Sequence, residues 1–225
     1  MDSSARSSIR DGATAAVPFG VTSLVFGVSF GVLAVSSGIE PLVAIVMSAT
    51  VWAGSAQFAI AAVLGAGGTA AAAIGAAVLL NARYGAMSLA LAPSLSGGPL
   101  RRAAESLALV DESWAMATVE PGRFDLGRLL GAALVMYPAW LLGTAIGVAA
   151  GDVIGDPAAL GLDAAFPAFF LALLVPQLRD RPAIAAALLA AVIALLLVPF
   201  VPPGLPIIAS AVAALIGLRR SGEPR

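Results

Sequence analysis

TAAAAIGAAVLLNARYGAMSLALA, residues 69–92, decides how this chain is read. It is apolar around its whole circumference and carries one charge, Arg83. A helix needs about 20 such residues to cross the hydrocarbon core of a bilayer. A helix that lies on a soluble core would show a polar face. The stretch therefore predicts a membrane span with a guanidinium set near its middle.

Similar apolar runs lie on either side, at residues 16–37, 41–64, 128–150, 161–178, 183–200 and 204–218. Together they predict an all-α fold, a polytopic membrane helix bundle of about six or seven spans. Bulk composition agrees: 60% of the 225 residues are hydrophobic and 11% charged, against about 25% charged in soluble domains. The run at 16–37 is longer than a signal-peptide core and contains Pro18, so it is read as a mature helix. Runs 161–178 and 183–200 are short and flanked by Pro167, Pro176, Pro182 and Pro199, which predicts tilted or discontinuous helices.

These runs divide the chain into a polar N-terminal segment (1–15), a transmembrane domain (16–218) and a polar C-terminal tail (219–225). Within the domain, residues 93–127 form a polar connection holding Arg101, Arg102, Glu105, Asp111, Glu112, Glu120, Arg123 and Asp125. Leu107, Val110, Trp114 and Met116 have helix-like spacing there, as expected for an amphipathic helix at the water boundary. Cytoplasmic connections concentrate arginine. By that rule residues 93–127, the connection with Arg179 and Arg181, and the C-terminus with Arg219, Arg220 and Arg225 face the cytoplasm. The connection with Asp152, Asp156 and Asp163 faces away. Seven full spans would put the N-terminus outside; a re-entrant first segment would put it inside, as Arg6 and Arg10 favour.

Pro18 precedes Gly27 and Gly31 at the same offsets as Pro138 precedes Gly147 and Gly151. If each proline opens a triplet of apolar segments, the chain holds a 3+3 inverted repeat, an arrangement common in secondary transporters. The paired glycines Gly27/Gly31 and Gly143/Gly147/Gly151 are GxxxG faces for close helix packing.

Histidine and cysteine are absent. That excludes Ser-His and Cys-His catalysis, thiol redox chemistry, haem with the usual axial ligands, and His/Cys zinc sites. No enzyme, metal or cofactor is expected. Net charge is −1 and all twelve basic residues are arginine, with no basic stripe, so no nucleic-acid partner is expected either.

Three polar clusters interrupt the apolar runs. Trp52-Ala53-Gly54-Ser55-Ala56-Gln57-Phe58 weakens a helix mid-span and sets an amide in lipid. Gln57 there is either an interhelical hydrogen bond or part of a broken helix that meets a substrate. Asn81-Ala82-Arg83-Tyr84 places a charge where it needs an anionic partner or a watery cavity. Asp111, Glu112 and a substrate carboxylate are the candidates, in a structural ion pair or a binding site. Asn81 and Tyr84 share a helix face, with Arg83 pointing elsewhere. Asp111-Glu112-Ser113-Trp114 can couple to protons if it returns to the membrane; its spacing favours water.

At these clusters the chain resembles the AzlC family of branched-chain amino acid permeases. The resemblance rests on Pro18-Phe19-Gly20, Met47-Ser48, Gly54-Ser55-Ala56-Gln57-Phe58, Asn81-Ala82-Arg83-Tyr84 and Asp111-Glu112-Ser113. It continues through Trp140, Gly143-Thr144 and Gly161-Leu162-Asp163 to Phe166-Pro167-Ala168-Phe169-Phe170. It implies the large subunit of a two-component exporter of valine, leucine and isoleucine, driven by the proton gradient and working with a small, four-span AzlD-type membrane subunit. Tyr84 stands where the family often has histidine. A branched-chain amino acid needs an apolar pocket and partners for two opposite charges. Trp52, Ser55, Gln57, Asn81, Arg83 and Tyr84 are the substrate-binding candidates, Arg83 for the carboxylate and Trp52 or Phe58 for the side chain; Asp111 and Glu112 are the proton-coupling candidates. The competing classes are a channel and a structural subunit of a membrane complex.

Overall fold

The computed structural model describes residues 3–120, 123–154, 171, 174–175, 178, 181–201 and 205–214. The connection bearing Asp156 and Asp163, nearly all of segment 161–178 and the C-terminal tail lie outside the described residues. Helix α1 (Ser3–Ser36) leads into a pair of short helices, α2 (Pro41–Thr50) and α3 (Gly54–Gly65), and then α4 (Ala70–Leu91). Next come α5 (Pro99–Ser106), α6 (Asp111–Ala117) and an antiparallel ribbon of β1 (Thr118–Glu120) and β2 (Arg123–Phe124). Helices α7 (Leu126–Ile154), α8 (Arg181–Leu197) and α9 (Leu205–Ser210), with a 3-10 turn at Ala211–Ala214, follow among the described residues.

Three of the described helices are long and apolar enough to cross a membrane: 5–36, 70–94 and 126–151. Their outward faces are apolar. Ile74, Val78, Leu89, Leu134 and Leu142 are all exposed, which lipid, unlike water, leaves without cost.

Helices α1 and α7 pack along their whole length, through glycine. Gly27 faces Gly143 and Gly31 faces Gly147. A side chain at Gly143 would run into the carbonyl of Leu24, and one at Gly147 into that of Val28. Gly12 lies against Arg128 and Gly151 against Val35. The partner's number rises with the helix's own number at every step, so the two helices run parallel. An inverted repeat needs Pro18 and Pro138 in helices of opposite direction, and these two helices do not have it. The matching offsets reflect two glycine faces that fit each other.

The segment read as a second span, 41–64, is a helical hairpin. The start of α2 follows a short turn from the C-terminal end of α1, and Gly65 at the end of α3 packs on Ser37. Both open ends of the hairpin are thus at one end of α1. Its tip, Val51-Trp52-Ala53, is level with Tyr137, well inside α7. Trp52 takes φ +35°, a left-handed conformation that a bulky side chain adopts only under compulsion. The break frees carbonyls at the end of α2, and the Tyr137 hydroxyl donates to one of them, Ala49 O, at 2.8 Å.

Helix α4 starts with a cap, the Thr69 hydroxyl accepting from the Ala72 N–H at 3.2 Å, and runs back antiparallel to α3. The polar residues before position 16 run straight into the first apolar run, because α1 is helical from Ser3. Its first turns are held by a hydrogen bond from the Ser8 hydroxyl to the Asp125 carboxylate. The N-terminus and the 93–127 connection therefore share one end of the bundle. The amphipathic helix expected from Leu107, Val110, Trp114 and Met116 is not continuous: α5 stops at Ser106, and Ala108, Leu109 and Val110 are buried before α6 begins. Run 183–200 appears as one helix, α8, and α9 packs on α4 where Ile208 fills the space over Gly75.

The core lies among α1, α3 and α7. Phe30 stands edge-on to Phe58 at 5.8 Å and stacks on Trp140 at 6.2 Å, an arrangement favoured by ring quadrupoles. Replacing Gly147 by Leu forces backbones apart and is expected to cost about 3 kcal/mol or more. Gly85 has open space around it, so Gly85→Leu is the control that leaves stability unchanged. Thermal unfolding of the purified protein in detergent measures both; equal stability of the two variants would refute the tight parallel contact.

Candidate functional site

Where the hairpin tip meets α6, the chain forms a partly open cavity of about 50 Å³. Its walls come from every central element: Phe19, Thr22, Ser23 and Phe26 of α1; Trp52, Gly54 and Ser55 of the hairpin; Tyr84 of α4; Val110, Asp111 and Glu112; and Met136 and Trp140 of α7. A water molecule needs roughly 10–15 Å³ of such space, so the cavity in this conformation holds a few waters. Trp52 is also part of a second, open groove of about 670 Å³, lined by Ile9, Val51, Leu107, Leu134, Tyr137 and Pro138 among others. The indole is the wall common to the two spaces. It is held edge-on to Tyr137 at 5.3 Å.

Arg83 has found its anion. Its Nε donates to Asp111 Oδ1 at 3.0 Å and its Nη2 to Asp111 Oδ2 at 2.7 Å, the two-pronged geometry that suits guanidinium and carboxylate. Nη1 donates to the Leu80 carbonyl at 2.9 Å and Nη2 also to the Ser55 hydroxyl at 2.9 Å. The guanidinium lies 4.8 Å from the centre of the Tyr84 ring, and the Tyr84 hydroxyl donates to Asp111 Oδ2 at 3.3 Å. Thus α6 does return to the bundle, against the reading that its spacing favours water. The reason is electrostatic: a charge inside α4 needs a counter-ion, and the next residues of the chain supply one. Arg83 and Tyr84 also act together, so the expectation that Arg83 points away from the Tyr84 face is corrected. The long arginine side chain bends back over its neighbour.

The remaining candidates separate. Ser55 and Trp52 line the cavity. Asn81 does not; it lines an apolar groove between α3 and α4 with Ala56, Ile60 and Ala77. Its Oδ1 is buried without a hydrogen-bond partner among the described residues.

Gln57 is wholly buried away from the cavity, and its Nε2 donates to the Ser48 hydroxyl at 2.9 Å. That hydroxyl also accepts from Trp140 Nε1 at 3.2 Å and meets the Thr144 hydroxyl at 2.8 Å. Thr144 itself donates back to the Trp140 carbonyl at 3.0 Å. Ser48 thus ties both arms of the hairpin to α7. The resemblance named Ser48, but its bridging role was not read, because one serine in an apolar run gives no physical signal of its own. Thr22 and Ser23, which add hydroxyls to the cavity, were missed for the same reason.

Glu112 is half-buried and lines the cavity with neither an ion pair nor another side chain's hydrogen bond among the described residues. Burial raises its pKa above the ordinary carboxylate value, and the neighbouring Asp111 charge adds to the rise; its own backbone N–H and Arg83 act in the opposite direction. Helix α3 begins at Gly54 without a side-chain cap, so its first N–H groups have no partner within the helix.

Neutralising either member of the Arg83–Asp111 pair alone strands the other charge. Arg83→Gln and Asp111→Asn are each expected to destabilise, and the double variant to recover part of the loss. The pair is about one-third exposed, so a double-mutant cycle on thermal unfolding should give a coupling of about 0.5–3 kcal/mol. Strict additivity would remove the pair from the list of structural supports.

Comparison with known proteins agrees with this architecture. A relative from Archaeoglobus fulgidus, described as an uncharacterized membrane protein, is 32% identical over 177 residues, covering 76% of this chain and 77% of its own. The inner membrane protein YgaZ of Escherichia coli K12 is 27% identical over 186 residues, covering 76% of this chain and 74% of its own. No solved structure matches significantly. The AzlC protein family matches residues 18–154, which include the hairpin, the Arg83–Asp111 pair and the whole cavity lining. The chain is a membrane protein of the AzlC family.

Proposed function

We propose that the chain is a secondary transporter of the cytoplasmic membrane that exports branched-chain amino acids. In this reading it is no enzyme; the proton gradient drives it, and a small four-span AzlD-type membrane subunit works with it. The observation that carries the reading is the partly open cavity within the bundle, between a broken helix and an acidic helix start. Secondary transporters commonly bind at such interruptions, where half-helix ends meet charged groups of the substrate. The name of the Escherichia coli relative, an inner membrane protein, supports the location. The arginine bias of the 93–127 connection puts that connection and the N-terminus beside it in the cytoplasm.

The cavity's chemistry suits a zwitterion with an apolar side chain. Phe19, Phe26, Trp52, Met136 and Trp140 offer aromatic and apolar surface. Arg83 was the candidate for the substrate carboxylate, but its guanidinium is engaged by Asp111. The carboxylate is better served by the uncapped start of α3 and by Ser55. The Ser55 hydroxyl already accepts from Arg83, which leaves its own proton free to donate. Arg83 then acts by orienting and polarising that hydroxyl.

The test is efflux of preloaded labelled valine from cells making this chain with its small partner. Partner-dependent efflux that collapses with an uncoupler is the expected result. Ser55→Ala should raise KM for efflux about tenfold or more, since a hydrogen bond to a charged group is worth about 1.5–3 kcal/mol, with membrane insertion unchanged. No efflux of any branched-chain amino acid, with both proteins inserted, would return the chain to the class of structural subunits.

A further inference from the structure

Two carboxylates stand side by side at the start of α6, and the bundle treats them differently. Asp111 is held on both oxygens by Arg83, at 3.0 and 2.7 Å, and again by the Tyr84 hydroxyl. Its charge is neutralised and its position fixed. Glu112 lines the same cavity with no counter-ion of its own among the described residues. The groups that face it from the surrounding elements are few. Helix α4 presents Arg83 and Tyr84, the first already paired. The α1 lining is Phe19, Thr22, Ser23 and Phe26, the hairpin lining Trp52, Gly54 and Ser55, and the α7 lining Met136 and Trp140. None of these last three sets carries a charge. A carboxylate in a cavity with no partner among the described residues favours a bound cation.

We infer that Glu112 holds either a proton or the ammonium group of the substrate, one excluding the other, and is thereby the coupling residue of the transport cycle. The inference rests on the proposed function and names the group through which that function is driven. Binding from the cytoplasm exchanges one cation for the other: protonated Glu112 gives its proton to the cytoplasmic solvent, and the resulting carboxylate takes the ammonium as an ion pair. On the outer side the ammonium leaves and an external proton takes its place. Each cycle moves one proton inward and one zwitterion outward, so one positive charge crosses per turnover. The free carboxylate inside the cavity is disfavoured by its burial, and this discourages proton leak without substrate. Asp111 cannot serve, because Arg83 competes with any cation for both of its oxygens.

The deciding measurement is infrared difference spectroscopy of the purified protein, with Glu112→Gln as reference. A protonated-carboxyl band present in the native protein at mildly acidic pH and missing from the variant is expected. Added valine, or methylammonium as a bare ammonium probe, should abolish it at constant pH. Valine affinity should in parallel fall about tenfold per pH unit below the pH at which the band appears, and show no pH slope in Glu112→Gln. Glu112→Asp should restore the slope, which a merely structural role would not require. A band that neither amine alters, no band assignable to Glu112, or valine binding with the same affinity at every pH would each overturn the inference. If methylammonium displaces the proton and valine does not bind, the inference stands and the branched-chain reading fails.

Discussion

Between Gly27 and Gly143, and again between Gly31 and Gly147, two long helices touch through backbone atoms alone. Lipid gives helices no hydrophobic reason to associate, so contact of this kind, summed over many small dispersion terms, has to hold them. The parallel pair forms the wall against which the shorter pieces are laid. The hairpin hangs on it through Ser48, Thr144 and Trp140, α6 packs on it, and the first turn of α1 is tied to the entry of α7. Movement that opens the cavity therefore has to come from the hairpin and α6 rather than from α1 sliding along α7.

A second constraint is that broken helices in lipid need partners for their freed polar groups. The chain meets it economically. One hydroxyl, Ser48, receives two donors and joins three segments, and one phenol, Tyr137, occupies a carbonyl where α2 stops. The polar groups left over at the start of α3 are at the cavity wall, where water or a ligand can reach them. The break is thus structural on the side of α7 and available for binding on the side of α6.

Membrane class was legible because apolar runs of this length have no other home. So was the need of Arg83 for an anion, with Asp111 among the named partners, since a charge in lipid cannot be left alone. The path of the chain was less visible. A hairpin of two half-helices and a single span have the same hydropathy, so residues 41–64 could not reveal that Trp52 turns back. The offsets of Pro18 and Pro138 say nothing about direction, which only the facing of Gly27 on Gly143 decides. Buried Ala108, Leu109 and Val110 were hidden within a polar connection whose charges dominate its average. Gln57 drew notice as an amide in an apolar run, while Ser48, which receives its hydrogen bond, stood out only through the family resemblance, because serine is common in membrane helices.

The link between Arg83 and Asp111 reaches across 28 residues of sequence, and this bears on how the protein is made. As synthesis proceeds, α4 emerges before its counter-ion exists. An uncompensated arginine in mid-helix opposes insertion by about 2.5–3.5 kcal/mol. The helix therefore gains its full hold on the bilayer only after residue 111 has left the ribosome and folded back. Insertion of this one helix is thus delayed until the connection that follows it has been made, and the burial of α6 becomes the step that locks the first half of the chain into place.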